Sequence, residues 1–253
     1  MTLIKEKEDM EKEGKMAKFS QIFRKAFNSI YDYIKKFIPN ENLRKRVLSS
    51  AVLVPIAIYA MFFSINLFFL IALSITIMMT VEWVDIIRSA KNQRKWRLIG
   101  FFYVLIPVFC VIKIRLIEPY ILLWMFVIIW STDIFAYFAG KAIGGPKLAP
   151  LISPNKTWSG LIGGVLACSL IGLISSLLFS GSALFFIIAS FALSIIEQVS
   201  DLTESKIKRI FNLKDSGNII PGHGGIIDRL DGMVLVAPAV LFLITLFPAN
   251  FFS

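Results

Sequence analysis

Acidic residues fall within or at the edges of stretches that otherwise read as apolar. Asp133 closes Trp130-Ser131-Thr132-Asp133, Glu197 and Asp201 stand near the end of a second stretch, and Asp228 and Asp231 open a third. A carboxylate at the centre of a membrane helix costs about 2.5–3.5 kcal/mol on insertion scales, and less near the interface. Each one therefore needs a reason, and the spacing suggests one. Glu197, Asp201, Glu204, Ser205 and Lys208 are mostly three or four apart and line one helix face, while Asp228 and Asp231 share a face of the next helix. Carboxylates converging from two helices make a hard-oxygen site suited to Mg²⁺, which takes one or two carboxylates, several waters and substrate phosphates. Taken singly, each residue also has a plainer reading. Asp228 and Asp231 suit a helix N-terminus, Asp133 could be buried and hydrogen-bonded to backbone, and Glu197 could pair with a lysine. The cluster as a whole is harder to explain as architecture.

Between the last two apolar runs lies the most informative stretch, Ser205 to Asp231. Lys208, Arg209, Lys214 and Arg229 supply cations. Gly217, Gly222, Gly224 and Gly225 let backbone approach a ligand closely. Amides around such glycines, together with the N-terminus of the following helix, attract phosphate. His223 is the single histidine of the chain, and its place between glycines in a polar loop favours phosphate contact or proton handling over a structural role. Together these groups describe a site for a metal-bound polyphosphate. A second glycine-rich stretch, Gly140-Lys-Ala-Ile-Gly-Gly-Pro-Lys147, is not a P-loop, because Pro146 stands where the lysine must be and no Ser or Thr follows. Lys141, Lys147 and Lys156 remain candidates for phosphate contact, or serve to set topology.

The elements that must position these residues are membrane helices. Of 253 residues 57% are hydrophobic, against about 45–50% in a soluble globule. The excess lies in runs long enough to span a bilayer. Seven spans are expected, at about 48–64, 66–83, 98–112, 119–139, 158–180, 182–204 and 226–250, giving an all-α polytopic bundle over 44–253. Residues 1–43 form a charged leader, in which Phe19, Ile22, Phe23, Phe27, Ile30, Tyr31, Ile34 and Phe37 predict an amphipathic helix lying in the interface. With a cytoplasmic N-terminus, 25 Lys and Arg fall on the inner side and 2 on the outer, the bias expected of a multi-pass protein. Both glycine-rich basic loops then share the cytoplasmic face. The net charge of +10 is read as basic loops against anionic headgroups and not as a nucleic-acid partner. Cys110 and Cys168 lie in apolar runs and read as small core residues. Thr157 or Ser159 is expected to cap the fifth span, and Gly160, Gly163 and Gly164 to pack it closely on a neighbour.

The stretch Ser205 to Asp231 resembles the signature of the phosphatidate cytidylyltransferase family, the CDP-diacylglycerol synthases. Ser205, Ile207, Lys208, Arg209, Lys214, Asp215, Gly217, Ile220, Pro221, His223, Gly224, Gly225, Ile226, Asp228, Arg229, Leu230 and Asp231 fit it without a gap. Asp201-Leu-Thr-Glu-Ser205, Thr132 to Gly140 and Ser153-Pro-Asn-Lys-Thr-Trp-Ser-Gly160 are similar to other family motifs, with Ser200, Lys141 and Ser159 standing where Gly, Arg and Glu are usual. The resemblance covers about residues 44–245. It implies transfer of CMP from CTP to phosphatidic acid, with CDP-diacylglycerol and pyrophosphate as products. It also implies Mg²⁺ and a second cation such as K⁺, and leaves a homodimer open. On this reading Asp201 and Asp228 hold Mg²⁺, with Asp231 as a further or outer ligand, and Lys208 and His223 act in catalysis. Ser205, Arg209, Lys214, Asp215, Gly224, Gly225, Arg229, Asp133 and Lys156 bind substrate, Asp133 lining the cavity through which the lipid headgroup enters. A CTP-dependent lipid-alcohol kinase and an ion or solute transporter are the competing classes.

Overall fold

The computed structural model describes residues 41–179, 181–217 and 224–252. The interfacial helix expected over 19–37 and His223 lie outside these residues. The chain divides into Met1–Ile56 and Ala57–Ser253, and the second unit carries every candidate site residue. Its helices are the end of α1 (Glu41–Phe62), α2 (Ile65–Ile86), α3 (Gln93–Ile117), α4 (Pro119–Ile143), α5 (Trp158–Ser175), α6 (Ala183–Ile210) and α7 (Ile227–Leu246). Among the described residues six helices, α2 to α7, are long and apolar enough to cross a membrane. The first expected span falls on α1, whose apolar part, Ala51–Phe62, is shorter. The third, expected over 98–112, belongs to the longer α3, because the basic turn Gln93–Arg97 continues the helix behind an Asn92 cap.

These helices are apolar on both faces, as membrane spans are. One face packs inward: Ile121, Leu122, Met125 and Ile128 of α4 meet Phe186 and Leu193 of α6 and Val236, Ala237 and Val240 of α7 in one buried cluster. The other face leaves Leu70, Leu73, Phe101, Phe109, Leu166 and Leu170 uncovered by protein, which is stable only against lipid. Trp124, Phe179, Phe186 and Phe251 knot one end of the bundle together. The carboxylates occupy the other end.

Small residues bring α4 and α5 together, as their spacing suggested. A Cβ on Gly160 would stand 2.7 Å from the Ala136 carbonyl oxygen, and one on Gly163 would stand 2.3 Å from the Ala139 Cβ. Without a hydrophobic driving force in lipid, such backbone proximity is what holds helices side by side. Gly163→Leu is accordingly expected to cost about 1–3 kcal/mol by overpacking, read as a lowered thermal midpoint in detergent. Leu170→Val, on the lipid face, should leave that midpoint unchanged.

Between α4 and α5 the loop residues form a short antiparallel hairpin, β1 (Lys147–Ala149) with β2 (Ser153–Thr157), where the sequence suggested only a loop. Strands of three and five residues are too short for an alternating pattern to show. Thr157 caps α5, its hydroxyl accepting the Gly160 amide at 3.1 Å. Ser159 instead donates to the Gly144 carbonyl, tying the first turn of α5 to the residue that ends α4.

Candidate active site

The site is assembled from the last turns of α6 and the first turns of α7. Asp201, Glu204 and Asp231 each offer a carboxylate oxygen within 4.8 Å of the others. The i, i+3 spacing on α6 puts Asp201 and Glu204 on the side facing α7. Ser200 stitches the two helices at this level: its hydroxyl donates to the Asp231 carbonyl and accepts the Leu235 amide. Glycine cannot make that bridge, so serine at this position adds a fastening. Ser205 donates to Asp201 Oδ1 at 3.3 Å, and the Gly232 amide donates to Asp231 Oδ1 at 2.8 Å.

Two lysines balance the acids. Lys208 Nζ lies 2.8 Å from Glu204 Oε2 and 2.7 Å from Asp228 Oδ1, with all three side chains largely buried. Lys156, from β2, reaches Asp201 Oδ2 at 2.5 Å and the Gln198 side-chain oxygen at 2.8 Å. Gln198 in turn donates to Glu197, which is fully buried one helical turn below Asp201.

Asp228, expected beside Asp201 as a ligand to Mg²⁺, stands where the cluster meets the residues that precede α7. Besides Lys208 it accepts the Ser216 amide at 3.0 Å and the Gly225 amide at 3.4 Å, so its oxygens organise the loop. It adjoins the cluster through the Lys208 ammonium that it shares with Glu204 and through Glu204 itself. Glu204, expected only as a member of the helix face, is the third carboxylate of the cluster. The N-terminus of α7, expected to meet phosphate, instead holds the carboxylate of Glu82, which accepts the Ile226 and Ile227 amides at 2.8 and 2.9 Å.

The remaining candidates are spread around this centre. Lys214 and Asp215 are exposed before the glycine loop, Gly225 is buried, and Gly224 has a φ of 81° that favours glycine. Arg209 reaches the Ile152 carbonyl at 3.2 Å and the Leu213 carbonyl at 2.8 Å, which pins the hairpin to the end of α6. Arg229 is exposed on the first turn of α7. Asp133 lines a cavity of about 510 Å³ together with Lys141, Lys147, Lys156 and Gln198. That volume suits a small ligand, and Lys156 belongs to both the cavity wall and the carboxylate cluster.

The three grouped carboxylates fit a divalent ion of the magnesium type. Glu204 is 2% exposed, and neither of its oxygens has a hydrogen bond of good geometry. Such a group is costly unless a cation meets it, and Lys208 alone must also serve Asp228.

Residues 97–247 match the sequence pattern described as the Cytidylyltransferase family. A phosphatidate cytidylyltransferase of Rickettsia bellii is 39% identical over 222 residues, 84% of this chain and 95% of that protein. The chain belongs to the cytidylyltransferase family. Two further relatives carry the same description. The one from Rickettsia felis is 39% identical over 214 residues, 80% of this chain and 92% of its own length. The one from Brucella abortus biovar 1 is 43% identical over 171 residues, 66% of this chain and 60% of its own length. The cluster, the glycine loop and the hairpin all fall inside the family segment. Glu82 lies before it.

Proposed function

We propose that this chain transfers the cytidylyl group of CTP to the phosphate of phosphatidic acid, giving CDP-diacylglycerol and pyrophosphate. The observation that carries the reading is the meeting of Asp201, Glu204 and Asp231 beside Lys208, next to a basic cavity, in a chain with this family membership. A phosphate oxygen of the lipid attacks the α-phosphorus of CTP. The bond from that phosphorus to the bridging oxygen breaks, and pyrophosphate leaves with the electron pair. The protein's task is to align the two phosphates and spread their charge.

Asp201, Glu204 and Asp231 would hold Mg²⁺, which supplies positive charge to the reacting phosphate oxygens. Lys208 holds Glu204 and Asp228 in place from between them. Lys156 holds Asp201 and, with Lys141 and Lys147, gives the 510 Å³ cavity a positive wall for an anionic headgroup. The distribution of Lys and Arg supports a site on the cytoplasmic face, where CTP is dissolved. One substrate is a lipid, so the cavity serves as its approach from the bilayer.

The direct test supplies purified protein with Mg²⁺, phosphatidic acid and CTP labelled in the α-phosphate. Label in a CDP-lipid with release of pyrophosphate supports the reading. In a parallel reaction with a lipid alcohol in place of phosphatidic acid, transfer of the unlabelled γ-phosphoryl group to the alcohol with release of labelled CDP would assign a lipid kinase instead.

A further inference from the structure

The free amides that open a helix carry partial positive charge and are a natural seat for an anion. At the start of α7 that seat is filled from within the protein. Glu82, on the last turn but one of α2, is 1% exposed. Its Oε1 accepts the Ile226 amide, and its Oε2 accepts both the Ile227 amide and the Ser216 hydroxyl, at 2.8, 2.9 and 3.0 Å. These partners lie 134 to 145 positions away in sequence. The carboxylate thus joins the two ends of segment 217–225. Asp228 makes a parallel closure through the Ser216 and Gly225 amides.

The neck admits nothing larger than glycine. A Cβ on Gly225 would stand 1.8 Å from Ser216 Oγ and 2.9 Å from Glu82 Oε2, and one on Gly217 would stand 2.9 Å from Glu82 Oε1. Glu82 itself sits on a braced helix end. Trp83 donates to the Trp96 carbonyl at 3.0 Å and covers Gly100, where a Cβ would stand 2.0 Å from the indole nitrogen. Met79, Trp83 and Ile86 share a buried cluster with Ile226 and Ile227. Apolar and polar contacts therefore hold the same joint, and α2 supplies both.

We propose that Glu82 is a positioning residue for CTP: its carboxylate fixes the neck of segment 217–225 and the first turn of α7, and through them the placement of Asp228 and Lys208. The choice of CTP rests on the function proposed above, whereas the clamp stands on the geometry alone. Because Glu82 occupies the helix seat, the substrate's phosphates must be met by side-chain cations and not by the start of α7.

Glu82→Gln keeps the side chain's size but turns an NH₂ group toward a donor. Losing hydrogen bonds to a charged group is expected to raise hydrogen exchange in the peptide covering Ile226–Asp231 by about tenfold or more, and KM for CTP by about tenfold. KM for phosphatidic acid should stay within about twofold, because the lysine-lined cavity is built from other elements. Ser216→Ala removes one of the three bonds and should move both readouts the same way, by about threefold. It carries the test if Glu82→Gln yields no stable protein. Unchanged exchange overturns the clamp. A fall in kcat with both KM values unchanged also overturns the proposal, since that marks a smaller active fraction. Wild-type protein that forms no CDP-lipid would remove the proposed function while leaving the exchange result to decide the clamp.

Discussion

Asp231→Asn is expected to lower kcat by on the order of 10²–10³, the scale on which removal of one preorganised electrostatic group acts, while the protein still folds and inserts. Asparagine keeps the shape, and its side-chain oxygen still accepts the Gly232 amide that Asp231 Oδ1 now accepts at 2.8 Å. What is lost is one negative charge at the point where three carboxylates lie within 4.8 Å. Asp201→Asn should fall in the same range. The double variant should cost little more than either single one, because groups that hold one ion act as a unit. A kcat within threefold of wild type for Asp231→Asn would place the reacting phosphates elsewhere.

Lys208→Met should be the most damaging change to both stability and activity. It leaves Glu204, with a side chain 3% exposed, and Asp228, at 15%, without the ammonium they share. Breaking a buried pair by removing one partner costs about 3–5 kcal/mol, because the remaining charge is uncompensated. Two carboxylates lose their partner here. The expected result is a clearly lowered thermal midpoint together with loss of turnover, measured at a temperature where the variant is still folded. Lys208→Arg should recover much of the stability and little of the turnover, since a planar guanidinium cannot replace a compact ammonium between two carboxylates. A Lys208→Met protein as stable as wild type would show that some other cation balances Glu204 and Asp228.

Much of this was legible in the sequence, and the reason is periodicity. Membrane helices announce themselves by length, and a carboxylate inside one is conspicuous. Residues three or four apart on such a helix must share a face, which is why Asp201 and Glu204 could be placed together and why α7 could be expected to bring Asp231 to them. The close packing of Gly160 and Gly163 followed from the same rule. What could not be read were contacts that depend on tertiary approach. Glu82 lies inside the second expected span, 66–83, three positions before Asp85; its place in an apolar run was the signal available, but nothing local names its partners. Its partners, Ser216, Ile226 and Ile227, are more than 130 positions away. The division of labour between Asp228 and Glu204 was hidden for a related reason. Helix spacing fixes which face a residue occupies, but not which of two neighbouring carboxylates the loop amides will engage. Ser200 stood out in the sequence only as a departure from the family motif, and Gln198 did not stand out at all. Their roles as fastenings to α7 and Lys156 appear only once those elements are in place.

The most direct test of the cation site is a titration of the purified protein with Mn²⁺ in phosphatidylcholine nanodiscs, followed by electron paramagnetic resonance. Neutral lipid keeps the bilayer from competing for the ion. Wild-type protein should bind Mn²⁺ at a site from which Mg²⁺ displaces it. Asp201→Asn, Glu204→Gln and Asp231→Asn should each weaken that binding by about tenfold or more, as loss of a charged ligand requires. Binding by all three variants indistinguishable from wild type would contradict the assignment of these carboxylates to the metal.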